Sequence, residues 1–243
     1  MTQKVIKFEI LDSTNNYVAK ALETGQYREN DVILAGFQTE GRGQRGNIWQ
    51  SEFNKNLTFS FAFLFDYLKL DHQFVISKAV SVAIAKYLED RIGKTITLKW
   101  PNDILLGNKK LCGILLESVL AGRKRFMIVG IGLNVNQASF NTEYEVTSLS
   151  LELERMLDLD SELNLLLPYL SASIEKVKNA KTHELEAFYL ARLTGHNELV
   201  EFTDRERTFR GNIISVENSG EITVRPEDGE MKTYRMGEVK ITY

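Results

Sequence analysis

Hydrophobic and polar positions change rhythm several times along this chain, and each change marks an element. Residues 5–10 read as a short strand. Asp12-Ser13-Thr14-Asn15 then offers side chains able to cap a helix running to about Glu23, with Gly25 just past its end. Continuous apolar runs at 32–37 and 57–65 predict buried strands on either side of a polar, glycine-rich stretch. From 71 to 92, Val75, Ile76, Ala79, Val80, Ala83, Ile84, Tyr87 and Leu88 recur at helical spacing, and Gly93 supplies the stop. A strand over 96–100 must end at Pro101, which lacks an amide donor and restricts the residue before it.

Three apolar runs, 104–106, 111–120 and 126–135, follow with short turn-rich gaps, the pattern of an antiparallel meander. Helical periodicity returns over 160–180, where Pro168 is expected to kink or divide the helix, and over 182–193, ended by Gly195. Strand-like pieces at 198–202, 208–216, 221–224, 231–235 and 239–243 close the chain, broken by Asn218-Ser219-Gly220 and Asp228-Gly229 turns. The expectation is an α+β fold: a mixed, mainly antiparallel sheet flanked by helices, with a small C-terminal β-barrel domain. The expected domains are 1–196 and 197–243. The second is too small to fold confidently alone and should lean on the first.

Composition narrows the function classes. With 43% hydrophobic and 26% charged residues in 243, the chain is globular. A net charge of −3 removes the broad basic footprint of a protein that tracks nucleic acid, while leaving room for local clusters that bind small anions. One cysteine, Cys112, excludes an internal disulfide and a cysteine cage, and His72, His183 and His196 are too scattered for a histidine-rich metal site. Lys4 and Lys7 interrupt the start as a signal peptide would not be interrupted, and no apolar run reaches the ~18 residues of a membrane span. A reducing cytoplasm is the expected location, with no membrane partner.

The candidate chemistry lies first in Gln38-Thr39-Glu40-Gly41-Arg42-Gly43-Gln44-Arg45-Gly46-Asn47-Ile48-Trp49. Its glycines free the backbone for positive φ and close ligand approach, and Arg42 and Arg45 bring permanent cations to the same loop. Glycine with arginine alone more often means an ordinary surface loop. Here strands hold both ends, which favours an anion site. It is neither a Walker loop nor a dinucleotide fingerprint. The second constellation is Lys99-Trp100-Pro101-Asn102-Asp103, followed by Lys110 and Gly113. By itself it reads equally as a polar hairpin with a tryptophan in the core.

Together these segments resemble the catalytic domain of biotin protein ligases. Residues 41–49 resemble the family's G-R-G-x-x-G-x-x-W adenylate loop, and 99–103 its K-W-P-N-D. Residues 109–115 are similar to its K-[LV]-x-G-I-L, 130–136 to its G-[IV]-G-[IL]-N-x-N, and Ser13-Thr14-Asn15 to its S-T-N. The motifs run in the family's order from Ser13 to Asn136, and the C-terminal tail fits less specifically. Two features depart from common members. Gln44 stands where many have arginine, at a position tied to retention of the adenylate. The chain also starts almost directly at the catalytic domain, so a ligase without a helix-turn-helix extension, and without DNA as a partner, is expected.

The resemblance implies that MgATP activates biotin to biotinyl-adenylate, and that biotin then passes to a lysine of a biotin carboxyl carrier domain, as in acetyl-CoA carboxylase. Both steps gather charge on phosphate and carboxyl oxygens, which calls for fixed cations and donors. By carry-over, Lys110 meets the biotin carboxylate and α-phosphate with Arg42, and Asp103 orients or deprotonates the incoming lysine. Arg45, Asn102 and Asn134, with Lys110, face the nucleotide. Ser13, Thr14 and Gln38 would bind the ureido ring, with Asn15, Gly41, Gly43, Arg45, Gly113 and a covering Trp49 completing the substrate site. Bland roles stand beside these: helix capping for Ser13 and Thr14, a solvated turn for Lys110, a core anchor for Trp49, a strand end for Asn134. Magnesium is expected only as the nucleotide's companion, with no metal site in the protein. An exposed sheet edge leaves a homodimer open. The alternatives are a lipoate or octanoate ligase or transferase, and a non-catalytic sensor of biotinyl-adenylate.

Overall fold

The computed structural model describes residues 4–66, 72–142 and 144–242. Along them run β1 (Val5–Leu11), α1 (Thr14–Glu23), β2 (Val32–Gln38), β3 (Leu57–Leu64), α2 (Phe74–Ile92), β4 (Thr97–Lys99), β5 (Asp103–Leu106), β6 (Lys109–Ala121), β7 (Lys124–Leu133), α3 (Leu149–Leu153), α4 (Leu159–Lys178), α5 (His183–Arg192), β8 (Val200–Thr203), β9 (Thr208–Val216), β10 (Ile222–Pro226), β11 (Lys232–Tyr234) and β12 (Lys240–Thr242). They divide into two compact units, one within 1–67 and 109–165, the other within 68–108 and 166–243.

The first unit is built on strands in the order β1-β2-β3-β7-β6. Only β1 and β2 run parallel; the remaining neighbours are antiparallel. Strand β3 reads Leu-Thr-Phe-Ser-Phe-Ala-Phe-Leu, large and small residues in alternation. Because successive side chains point to opposite faces, Phe59, Phe61 and Phe63 are buried on one side while Thr58, Ser60 and Ala62 leave the other side low. Helix α1 lies on that low side, packing Val18 and Leu22 with Ile33, Ala62 and Ile128.

In the second unit, α2 is buried nearly all round, so its stripe is wider than the periodicity alone requires. The expected start of α2 at Asp71 lies outside the described residues. Gly93 caps the helix at φ 72°, as the sequence predicts. The turn between β4 and β5 carries Trp100, 3% exposed, whose indole Nε1 donates to the Gly220 carbonyl at 3.0 Å. Trp100 therefore packs in the core, as the hairpin reading of 99–103 expects. Lys78, buried within α2, donates to Glu186 Oε1 on α5 and to the Val216 carbonyl on β9, both at 2.6 Å.

Strands 8 to 12 form an antiparallel sheet in the order β11-β10-β9-β8-β12. Among the described residues no pairing of β11 with β12 closes it, so the expected barrel is corrected to a five-stranded sheet. Pro168 neither ends nor divides α4, which runs unbroken from Leu159 to Lys178. One lost amide is outweighed there by the buried stripe of Leu163, Leu166, Leu167, Leu170, Ile174 and Val177. The short α3 carries too few turns for its periodicity to stand out, and the sequence pattern predicts no helix at that place. No helix among the described residues is long and apolar enough to cross a membrane.

Candidate functional site

The low face of the first unit's sheet becomes lower still beyond the N-terminus of α1. In the β6/β7 pair Gly113 stands opposite Gly132 and Leu115 opposite Gly130, while β3 sets Ser60 beside Gly130. A methyl on Gly132 would overlap the Trp49 indole, one on Gly113 would stand 3.0 Å from Trp49 Cζ3, and one on Gly130 would overlap the Asn15 amide. Close approach, rather than backbone conformation, is what demands glycine at these positions. They form a floor on which the end of the 38–49 loop rests.

That loop leaves β2 at Gln38, turns once as a 3-10 segment over Gln44–Gly46, and returns through an Arg42 to Ile48 bridge. Its glycines serve different ends. Gly46 takes φ 80°, whereas at Gly41 a side chain would strike the Trp49 carbonyl. Gly43, at φ −111°, is in ordinary extended backbone. Arg45 is an exposed residue in the left-handed region (φ 56°), at the tip of the turn. The structure brings Arg42 and Lys110 to the glycine floor, through Glu117 and Trp49 respectively, and leaves Arg45 outward.

Around the start of α1 the side chains of Thr14, Asn15, Gln38 and Ser60 are joined by hydrogen bonds. Gln38 Oε1 accepts from Thr14 N at 2.7 Å and from Thr14 Oγ1 at 3.0 Å. Ser60 Oγ donates towards Thr14 Oγ1 at 2.6 Å and Asn15 Oδ1 at 2.5 Å. Asn15 Nδ2 donates to Glu117 Oε2 at 2.7 Å, and the other oxygen of Glu117 pairs with Arg42. Ser13 occupies the N-cap of α1 and is 2% exposed, yet makes no side-chain cap bond, so capping is not its work. Next to it, backbone bonding holds the Asp12 carboxyl below its ordinary range. Ser60 and Glu117 were missed by sequence reasoning. The signal available was their period: Ser60 shares the small face of β3, and Glu117 shares the Gly113 face of β6.

Lys110 opens β6. Its backbone is gripped by the 145–147 segment, accepting from Thr147 N at 3.0 Å and donating to the Glu145 carbonyl at 2.9 Å. Its ammonium lies 5.7 Å from the ring centres of both Trp49 and Tyr144, within cation–π range. A solvated-turn lysine would have neither wall. Trp49 is half-buried, and its indole N–H is buried without a hydrogen-bond partner. An unsatisfied donor of this kind costs on the order of 1–3 kcal/mol, which an acceptor on a ligand would relieve. Asn134 is buried and donates from Nδ2 to the Thr147 carbonyl at 3.1 Å, so it holds the segment that grips Lys110. Asn102 and Asp103 belong to the second unit, where Asp103 pairs in register with Lys99 across the hairpin turn.

Chemically, the first unit offers neutral donors and acceptors at one end, a flat apolar floor under an indole, and the cations Arg42 and Lys110. A ligand with an uncharged hydrogen-bonding head and an anionic tail matches that order. Comparison with known proteins agrees. A family model described as "Biotin/lipoate A/B protein ligase family" matches residues 7–136. The bifunctional ligase/repressor BirA of Bacillus subtilis is 26% identical over 239 residues, 96% of this chain and 73% of that protein. A biotin–[acetyl-CoA-carboxylase] ligase of Mycobacterium tuberculosis is 30% identical over 140 residues, 56% of this chain and 51% of its own. Among solved structures, a biotin protein ligase from Aquifex aeolicus in complex with biotin and ATP superposes with a TM-score of 0.79 at 26% identity, covering 99% of each chain.

Proposed function

Because the chain belongs to the biotin/lipoate A/B protein ligase family, we propose that it is an ATP-dependent biotin protein ligase acting on the carrier domain of a carboxylase. The observation that carries the reading is the run of neutral polar groups, glycine floor and cations along one sheet face, in a chain matching end to end a ligase solved with biotin and ATP.

In the first step a biotin carboxylate oxygen attacks the α-phosphorus of ATP. The bond from that phosphorus to the bridging oxygen breaks, and pyrophosphate leaves. Negative charge rises on the α-phosphoryl oxygens as this happens, so preorganised cations lower the barrier more than they hold the ground state. Lys110, steadied between two rings, and Arg42, steadied by Glu117, suit that task. Thr14 and Gln38, with Ser13 beside them, suit the ureido head, since a neutral ring needs donors and acceptors without charge. Trp49 covers the floor and excludes water from the mixed anhydride. In the second step a carrier lysine amine attacks the acyl carbon, an amide forms and AMP leaves. The lysine-activating role of Asp103 and the nucleotide roles of Asn102, Asn134 and Arg45 rest on the motif resemblance. Magnesium would enter with ATP and would neutralise charge on its phosphates, and a cytoplasmic location fits a carrier protein as substrate.

Biotin-dependent exchange of labelled pyrophosphate into ATP tests the proposal. A ligase gives exchange with biotin and none with lipoate; a lipoate enzyme gives the reverse, and a passive sensor gives none with either.

A further inference from the structure

The Arg42 to Glu117 contact is a half-exposed ion pair, with side chains 41% and 32% exposed, and such pairs add little to stability. Its partners give it another use. Glu117 stands on β6, a strand locked by ladder pairing to β7, while Arg42 stands on a loop. One carboxylate oxygen takes Arg42 and the other takes the Asn15 amide. The amide's oxygen takes Ser60, Ser60 also reaches Thr14, and Thr14 ends on Gln38 Oε1.

A carboxylate only accepts, so Asn15 must turn its NH2 towards Glu117 and its oxygen towards Ser60, whose single proton that oxygen takes. The order set by Glu117 ends there, at a hydroxyl 2.6 Å from Thr14 Oγ1. Gln38 is oriented separately, because its Oε1 accepts from the Thr14 backbone N–H, which can only donate, so Nε2 is the group it offers a ligand. The charge on Glu117 thus fixes the place of a cation and the orientation of the Asn15 amide next to Thr14.

We propose that Glu117 is a positioning residue for adenylation: through its two oxygens it holds Arg42 in register with the Thr14–Gln38 pair, setting the separation between head and tail recognition. This rests on the ligase reading above. Glu117→Gln keeps shape but presents an NH2 to the Asn15 NH2, so one of them must turn and the order breaks. The double variant Asn15→Asp/Glu117→Gln restores it by exchanging the two groups. The carboxylate now on α1 accepts from Ser60 and from the amide NH2 now on β6, and that amide's oxygen accepts from Arg42.

The test measures biotin-dependent pyrophosphate exchange on the full chain, with thermal melts alongside. Glu117→Gln is expected to lose about a hundredfold in kcat, the cost of a small misplacement of a reacting partner, with KM for biotin within about threefold and an unchanged melting temperature. The double variant is expected to recover at least about tenfold. A Glu117→Gln enzyme with wild-type kcat, a loss confined to KM or to melting temperature, or a double variant no better than the single would overturn the proposal. The Arg42 side-chain N–H resonance, assigned by its disappearance in Arg42→Lys, reads the same network without activity. It is distinct and protected from exchange in the wild type and merges with the solvent-exposed arginines in Glu117→Gln; merging already in the wild type would refute the network. Absence of exchange in the wild type would instead sink the ligase reading, leaving this resonance to decide the role of Glu117.

Discussion

Gly132→Ala puts the floor under the sharpest strain. Gly132 is paired on both sides, to Thr58 of β3 and Gly113 of β6, so its backbone has no room to retreat. The new methyl would overlap the Trp49 indole. Two responses compete. Forcing the ladder apart costs about 1–3 kcal/mol, as overpacking generally does. Releasing the indole gives up roughly half of an aromatic ring's buried area, ~100 Å², or about 2.5 kcal/mol at 25 cal/mol per Å². It also returns a partnerless N–H to water, recovering about 1–3 kcal/mol. The difference is about 1.5 kcal/mol at most, below most of the range for opening the ladder, so the loop yields before the sheet. Melting temperature should then fall by no more than about 3–6 °C, while pyrophosphate exchange drops about a hundredfold as the wall beside Lys110 is lost. Tryptophan emission reports the event, since Trp100 is fixed in its core and supplies a constant background. A red shift is expected in the variant. Unchanged emission with wild-type exchange would refute the assignment of the floor, and a fall in melting temperature beyond about 8 °C would show that the ladder had given way.

Lys110→Ala should lower the exchange rate by at least about a hundredfold, the usual loss of one preorganised charge-stabilising donor, while its melting temperature stays near wild type; an unaltered rate removes Lys110 from the mechanism. In the second unit, Glu186→Gln should destabilise more than Lys78→Met, because it strands a cation whose side chain is 2% exposed, whereas Glu186 is already 35% exposed. Removing one member of a buried pair costs about 3 kcal/mol, or about 6–12 °C in a thermal melt, and equal shifts in both variants would show that the charge is solvated. Asp204 is held well below the ordinary carboxyl range by the backbone amides of Glu206 and Arg207, then by Tyr234 and Lys232. A depressed folded-state pKa means stability present above the unfolded value and lost as pH falls through the folded one. The gap in melting temperature between wild type and Asp204→Asn should therefore be full at pH 5–7 and shrink below about pH 4; a gap independent of pH would contradict this. Finally, proteolysis within residues 39–50 should slow when biotin and ATP are added, and equal cleavage with and without them would argue against closure of the loop.

Much of this architecture was legible because its signals are local. The apolar run of 57–65, the helical stripe of 75–88 and the stop at Gly93 each rest on a few neighbouring residues, and the strand, helix and cap appear where the pattern puts them. What failed depended on distant partners. Pro168 was expected to kink or divide its helix, and with buried leucines on both sides of it the helix is not divided. The tail's strand spacing suggested a barrel, yet closure is a property of which edges meet, and spacing does not report that. The two tryptophans looked alike in sequence; a carbonyl from residue 220 makes one an anchor, and a pair of facing glycines makes the other a cover. Likewise Arg42 and Arg45 share a motif, but of the two only Arg42 pairs with a carboxylate among the described residues, that of Glu117 on β6. Ser60 and Glu117 carried no motif of their own, and their importance emerges only once register is known.

The glycine floor comes largely from one hairpin, β6 and β7, whose halves are adjacent in sequence. Contacts of such short range form early and fast in folding, before helices or loops from elsewhere must find them. The surface on which the small molecule would rest can thus mature while the cation-bearing loop is still searching. Lesions in that loop should consequently leave refolding rates untouched, and those in the hairpin should slow them.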